Sequence, residues 1–238
     1  MSKEKTEGQK LAEQLLYKTP HAANGNEELN QAAAEFCEGY KTFLDNGKTE
    51  RDVTSYTVKL LEENGYVPFV PGTAYAPGAK VYVNNRAKSV IAATVGQKPL
   101  TEGVHMNIAH TDAPRLDIKP NPLYENSELA LFKTHYYGGI RKYQWVATPL
   151  ALHGVICKAD GTRVNVCIGE EEGDPVFCIT DLLPHLSAEQ NERKLSEGVK
   201  GEELNIVVGS LPYADKEVKD RVKLLALKLL NDKYGITE

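Results

Sequence analysis

Apolar residues recur at helical spacing through the first quarter of the chain and cluster in short runs after it. Leu11, Leu15 and Leu16 mark a short amphipathic start. A second helix is predicted from Glu27 to Asp45, with Leu29, Ala32, Ala33, Phe36, Tyr40, Phe43 and Leu44 on one stripe. Asn46-Gly47 would end it as a left-handed cap. Thr49-Glu50-Arg51-Asp52 resembles a capping box, in which Thr and Asp satisfy each other's backbone N–H groups. It opens a third helix with Val53, Tyr56, Leu60 and Leu61 on one face, closed by Asn64-Gly65. These stripes read as core-facing. Pro68, Pro71-Gly72 and Pro77-Gly78 punctuate a loop. Strands follow over Lys80–Val83 and Ser89–Val95, turning at Asn84-Asn85. The second is nearly all apolar or small, the pattern of a strand covered on both faces.

The next run is the sharpest. Val104, Met106 and Ile108 alternate, and the run ends at His110-Thr111-Asp112 before Pro114. It reads as a buried strand that stops with an imidazole and a carboxylate at its carboxyl end. Residues two apart on extended chain share a side, so His110 and Asp112 would face one cleft. After Pro120 the character changes to short β-like runs: Leu129–Tyr137, Leu150–Cys157, Arg163–Ile168, Val176–Ile179 and Leu204–Val208. Asp160-Gly161 is a hairpin signal. A last helix, Asp215 to Tyr234, carries Val218, Val222, Leu225 and Leu229 and is capped by Gly235. Helices followed by buried strands predict an α/β domain over residues 1–121. A β-rich domain is expected over 122–238. On this pattern the first domain has too few strands to cover its own helices, so the architecture looks unfinished.

Composition narrows the function classes. The chain has 238 residues, 41% hydrophobic and 26% charged, ordinary values for a globular protein. A net charge of -5 argues against a nucleic-acid partner, which would call for a basic face. No apolar run approaches the roughly 20 residues that span a bilayer, so no membrane partner is expected. The charged start lacks the apolar core of a signal peptide, and a cytoplasmic location follows as the default. Cys37, Cys157, Cys167 and Cys178 form no Cys-x-x-Cys pair and are expected to be mostly buried, reduced residues.

Among candidate groups, His110-x-Asp112 stands first. A neutral imidazole is a good zinc ligand, and a neighbouring carboxylate can fix its tautomer. The competing reading is a strand-end histidine with Asp112 capping the following turn. His105 reads as a packed or edge residue, His135 and His153 as exposed or hydrogen-bonded strand residues, and His21 as a loop residue. His185 follows a proline in an apolar surround, Leu182-Leu183-Pro184-His185-Leu186, which would hold it in a defined place. Glu170, Glu171 and Glu172 could serve a metal, but glycines at both ends favour a solvated loop.

The stretch Ile108-Ala109-His110-Thr111-Asp112-Ala113-Pro114-Arg115-Leu116, with Lys119-Pro120, resembles the first metal motif of the aspartyl aminopeptidase and vacuolar aminopeptidase I family. The resemblance extends through His135-Tyr136-Tyr137-Gly138-Gly139-Ile140, the Trp145 segment, Pro149–Gly154 and Leu183–Leu186. It implies part of the α/β catalytic domain of a two-zinc exopeptidase, followed by a β-rich inserted dimerisation domain. It implies homodimers or higher oligomers, peptide substrates with a possible preference for an acidic first residue, and two zinc ions per complete site, with cobalt or manganese as alternatives. By position, His110 matches a metal ligand. Asp112 enters the catalytic set as the carboxylate supporting the metal site. His185 matches a substrate-binding histidine lent to a neighbouring subunit. The family's later ligands and catalytic glutamate have no match here, and its members are about twice this length. The implied protein is an N-terminal half, inactive alone. A split half needing its complement, a non-catalytic oligomerisation module, and a different enzyme using Glu170–Glu172 with His110 and Asp112 all stand as readings.

Overall fold

The structure, a computed structural model, describes residues 4–18 and 26–237. His21 lies outside them. The chain divides into two compact units, 1–47 and 48–238.

The first unit holds α1 (Glu7–Leu15) and α2 (Glu27–Asn46). Asn26 caps α2 by accepting from the Leu29 N–H at 2.9 Å. The apolar stripe of α2 is there as predicted, but it is not core. No residue of α2 is buried, and Phe36 is 75% exposed. Helical periodicity reports that a face exists, not that something covers it. Gly47 has φ −107°, so the helix does not end on a left-handed glycine.

The second unit opens with α3 (Glu50–Glu63). Its start is the capping box read from the sequence: the Asp52 N–H donates to Thr49 Oγ1 at 3.3 Å, and the Thr49 N–H to Asp52 Oδ2 at 3.1 Å. A small sheet follows, in the order β1 (Val67–Pro68), β2 (Lys80–Asn85), β3 (Ser89–Thr94). Its β2–β3 turn falls at Arg86 and Ala87, both with positive φ, and Asn84 Oδ1 accepts from the Ala87 N–H. Tyr82 is buried and donates to Glu62 at 2.6 Å, tying β2 to α3. β3 is an edge strand, not one covered on both faces; Ile91 is 67% exposed.

Residues 104–114 carry no regular secondary structure. The predicted buried strand is therefore corrected: Val104, Met106 and Ile108 are all exposed. Its alternation has no partner strand among the described residues, and an extended segment without a ladder has nothing to bury its face against.

The remainder is β-rich. β4 (Arg115–Asn126) pairs antiparallel with β5 (Leu129–Tyr137), and β5 with β8 (Ile206–Gly209). β6 (Leu152–Cys157) and β7 (Arg163–Ile168) form the expected Asp160-Gly161 hairpin. The expected Val176–Ile179 strand makes only isolated bridges, Leu150 to Phe177 and Cys178 to Val207. β4 contains Pro120 and Pro122, yet it holds, because its register shifts between Ile118 and Leu123. Prolines lack the N–H a ladder needs and are tolerated at such irregularities.

Three buried clusters fill this region. Leu123, Ala130, Phe132 and Val222 form one; Val166, Ile168, Phe177 and Tyr234 a second; Ile179, Val199 and Leu204 a third. Ile206 packs against all of them. Two short helices complete the chain order: α4 (Ala188–Glu192) and α5 (Arg221–Tyr234). α5 starts six residues later than predicted, because Asp215 Oδ1 accepts from the Glu217 N–H and closes its own turn instead. Its true N-terminus is served from afar: Glu125 Oε2, at the end of β4, accepts from the N–H groups of Val222 and Lys223 at 2.9 Å each.

The cysteines depart from expectation. All four are free, but Cys37, Cys157 and Cys167 are exposed and only Cys178 is partly buried. Cys167 lies between buried Val166 and Ile168, so strand alternation turns it outward.

Candidate metal-binding corner

The local chain around His110 explains its geometry. His110 is 82% exposed at its side chain. Its Nδ1 lies 2.8 Å from the backbone oxygen of Asp112 and 3.4 Å from Asp112 Oδ1. A carbonyl oxygen can only accept, so the neutral ring carries its proton on Nδ1. Nε2 is left with a bare lone pair. That is the form in which an imidazole binds a metal.

Asp112 is held from the other side. Tyr137 Oη donates to Asp112 Oδ2 at 2.6 Å. This bond, then the residue's own backbone N–H and the nearby His110, keeps the Asp112 carboxyl below the usual carboxylate range. The same contact raises the Tyr137 phenol. The Arg115 guanidinium lies 4.2 Å from the centre of the Tyr137 ring. Arg115 Nε donates to Asp117 at 2.7 Å, and its other end lies 3.8 Å from Glu50. Partial desolvation works against the arginine's charge, but the Asp117 and Glu50 carboxylates outweigh it and raise its pKa.

His185 stands in an exposed turn before α4. The turn is held by the Leu186 N–H on the Leu183 oxygen at 2.8 Å and by Ser187 Oγ on the Pro184 oxygen. Its apolar surround is not a pocket: Leu182, Leu183 and Leu186 are exposed. Glu170 pairs with His153 at 2.9 Å, and Asp174 accepts from the N–H groups of Gly169 and Glu171. The acidic run is a self-organised loop. His135 is exposed and stacks with Tyr136.

Zinc fits this corner in part. The bare Nε2 of His110 suits it, but a zinc site needs at least three protein ligands. Among the described residues no group of three or more His, Cys, Asp or Glu could hold a metal ion. Glu170–Glu172 do not join His110 and Asp112 in such a group.

A model of the aminopeptidase I zinc metalloprotease family (M18) matches residues 43–238. The chain belongs to the M18 family. A probable M18 family aminopeptidase 1 of Clostridium acetobutylicum is 50% identical over 203 residues, 84% of this chain and 44% of that protein. A crystal structure of an M18 aminopeptidase from Thermotoga maritima superposes with a TM-score of 0.81 at 43% identity, covering 92% of this chain and 48% of that one. The mApe1 dodecamer of S. cerevisiae shares the fold alone, at a TM-score of 0.58 and 18% identity over 85% of this chain and 45% of that one. The chain thus spans about half the length of the M18 relatives it matches. Mixed helices and sheets agree with the expected α/β class. Among the described residues no helix is long and apolar enough to cross a membrane.

Tyr137 is the residue that sequence reasoning passed over. It lay inside the motif His135–Ile140 that carried the family likeness, without a role. The signal that finds it is the β4–β5 register, which sets Tyr137 opposite Arg115.

Proposed function

We propose that this polypeptide supplies one wall of the active site of a zinc-dependent aminopeptidase that removes the N-terminal residue of peptides, an acidic residue being the first to test. The observation that carries this is the His110–Asp112 corner within a chain matched to an aminopeptidase family over residues 43–238. His110 would offer Nε2 to the metal, with Asp112 orienting the ring. Zinc, when bound, lowers the pKa of its water toward neutrality and polarises a carbonyl. Because the other ligands are not among the described residues, the chain alone is proposed to be inactive and to need a complementing C-terminal half.

The functional boundary is placed at 121/122, the first segment belonging to the catalytic domain and the second to an inserted dimerisation domain. The register break between Ile118 and Leu123 supports a junction there. A homo-oligomer is proposed, with His185 reaching substrate in a neighbouring subunit. Exposed Leu182, Leu183 and Leu186 around it support an interface, as does the dodecameric state named for the yeast relative.

The test uses peptides beginning with Asp or Glu, added zinc, and the chain alone or mixed with the C-terminal half of the Clostridium acetobutylicum relative. Turnover is expected only in the mixture and is abolished by His110→Ala. Robust turnover by the chain alone, or a mixture indifferent to His110→Ala, overturns the proposal.

A further inference from the structure

His110 is exposed, Asp112 is half-buried, and both sit in a segment without regular secondary structure. Such a segment does not by itself hold a ring and a carboxylate in one geometry. The hold comes from a different element. Tyr137 is the last residue of β5, and the register Arg115↔Tyr137 brings its ring alongside the first residue after the Asp112-Ala113-Pro114 segment. Gly138, at φ 77°, then turns the chain; a Cβ there would already touch Pro114 at 3.6 Å. The end of β5 therefore lies close against the segment that carries Asp112. Arg115 lies over the ring, and Asp117 and Glu50 hold Arg115 in turn. The ring is therefore clamped on one face while its hydroxyl points at a single carboxylate oxygen.

The two oxygens of Asp112 are then divided. Tyr137 occupies Oδ2, while Oδ1 and the Asp112 carbonyl remain on the His110 Nδ1 side. We infer that Tyr137 is a positioning residue: by fixing Asp112 it holds His110 in the Nδ1–H tautomer and so presents Nε2 as the open nitrogen. This deepens the metal-corner reading and rests on it for its purpose, though not for its geometry.

The tautomer can be read without any metal. Long-range proton–nitrogen spectra of the full 15N-labelled chain at pH 8, where an ordinary imidazole is neutral, report which His110 nitrogen bears the proton; His110→Gln assigns the signals. The wild type is expected to be mainly Nδ1-protonated. Tyr137→Phe should shift the ratio toward the Nε2–H form by about fivefold, the population change set by one hydrogen bond. In an Asp112→Ala background the same substitution should change nothing, because Tyr137 acts through that carboxylate. Arg115→Lys, which removes the stacked guanidinium and keeps the charge, should give a smaller shift in the same direction. Unchanged amide spectra separate these effects from unfolding. A wild-type ratio unaltered by Tyr137→Phe, or an equal effect with and without Asp112, overturns the inference. A zinc titration on the same samples checks the underlying reading separately: if zinc perturbs His110 in no sample, the ligand role falls while the tautomer comparison still decides the role of Tyr137.

Discussion

Residues 104–114 and the β4–β8 region lie side by side in the chain and are held by different forces. The β-rich region is fixed by burial. Ala130 and Leu204 are 0% exposed, and Ile206 links three apolar clusters. The corner at His110 buries almost nothing; Ile108 is 84% exposed. It is held by a short relay of polar contacts from Glu50 through Arg115 and Tyr137 to Asp112. Burial is nondirectional and tolerant of small shifts, whereas hydrogen bonds fix atoms. The difference teaches that the candidate corner is positioned by a few bonds, and the stability of the chain lies elsewhere. The two should be separable by mutation.

The largest expected effect is in the apolar region. Leu204→Ala, in the cluster with Ile179 and Val199, should cost ~2–5 kcal/mol in denaturant unfolding. Its native-state His110 tautomer should stay as in the wild type. A coupled change in both would break the comparison. An intermediate effect is expected at the helix end. Glu125→Ala removes the acceptor of two N–H groups at the start of α5 and should cost about 1–2 kcal/mol. Glu125→Gln, which keeps an oxygen there, should cost less. The smallest effect is expected in the corner itself. Ile108→Ser should change unfolding free energy by within about 0.5 kcal/mol, as surface substitutions do. A loss of several times that would show that Ile108 is buried in solution and would return residues 104–110 to the apolar region.

Legibility in the sequence follows the same line. Local chemistry was readable: the Thr49–Asp52 capping box and the Asp160-Gly161 hairpin need only neighbours in sequence. Apolar alternation over 104–108 was readable as a pattern but not as burial, because burial needs a partner that periodicity does not name. β4 was hidden by Pro120 and Pro122, whose cost is removed by a register shift that only the paired strand defines. At the site, His110 and Asp112 stand two apart and could be picked out together. Tyr137 stands 25 residues from Asp112 and joins it only through strand register.

The bond between β4 and α5 also sets an order of events. Glu125 precedes its two donors by 97 and 98 residues. At a synthesis rate of ~5–20 residues per second, the carboxylate is made roughly 5–20 s before Val222 exists to meet it. Over that interval Leu123, Ala130 and Phe132 lack the residue that completes their cluster. The β-rich region therefore closes late, when its final helix arrives, and until then a nascent chain exposes an open apolar seam to whatever waits at the ribosome.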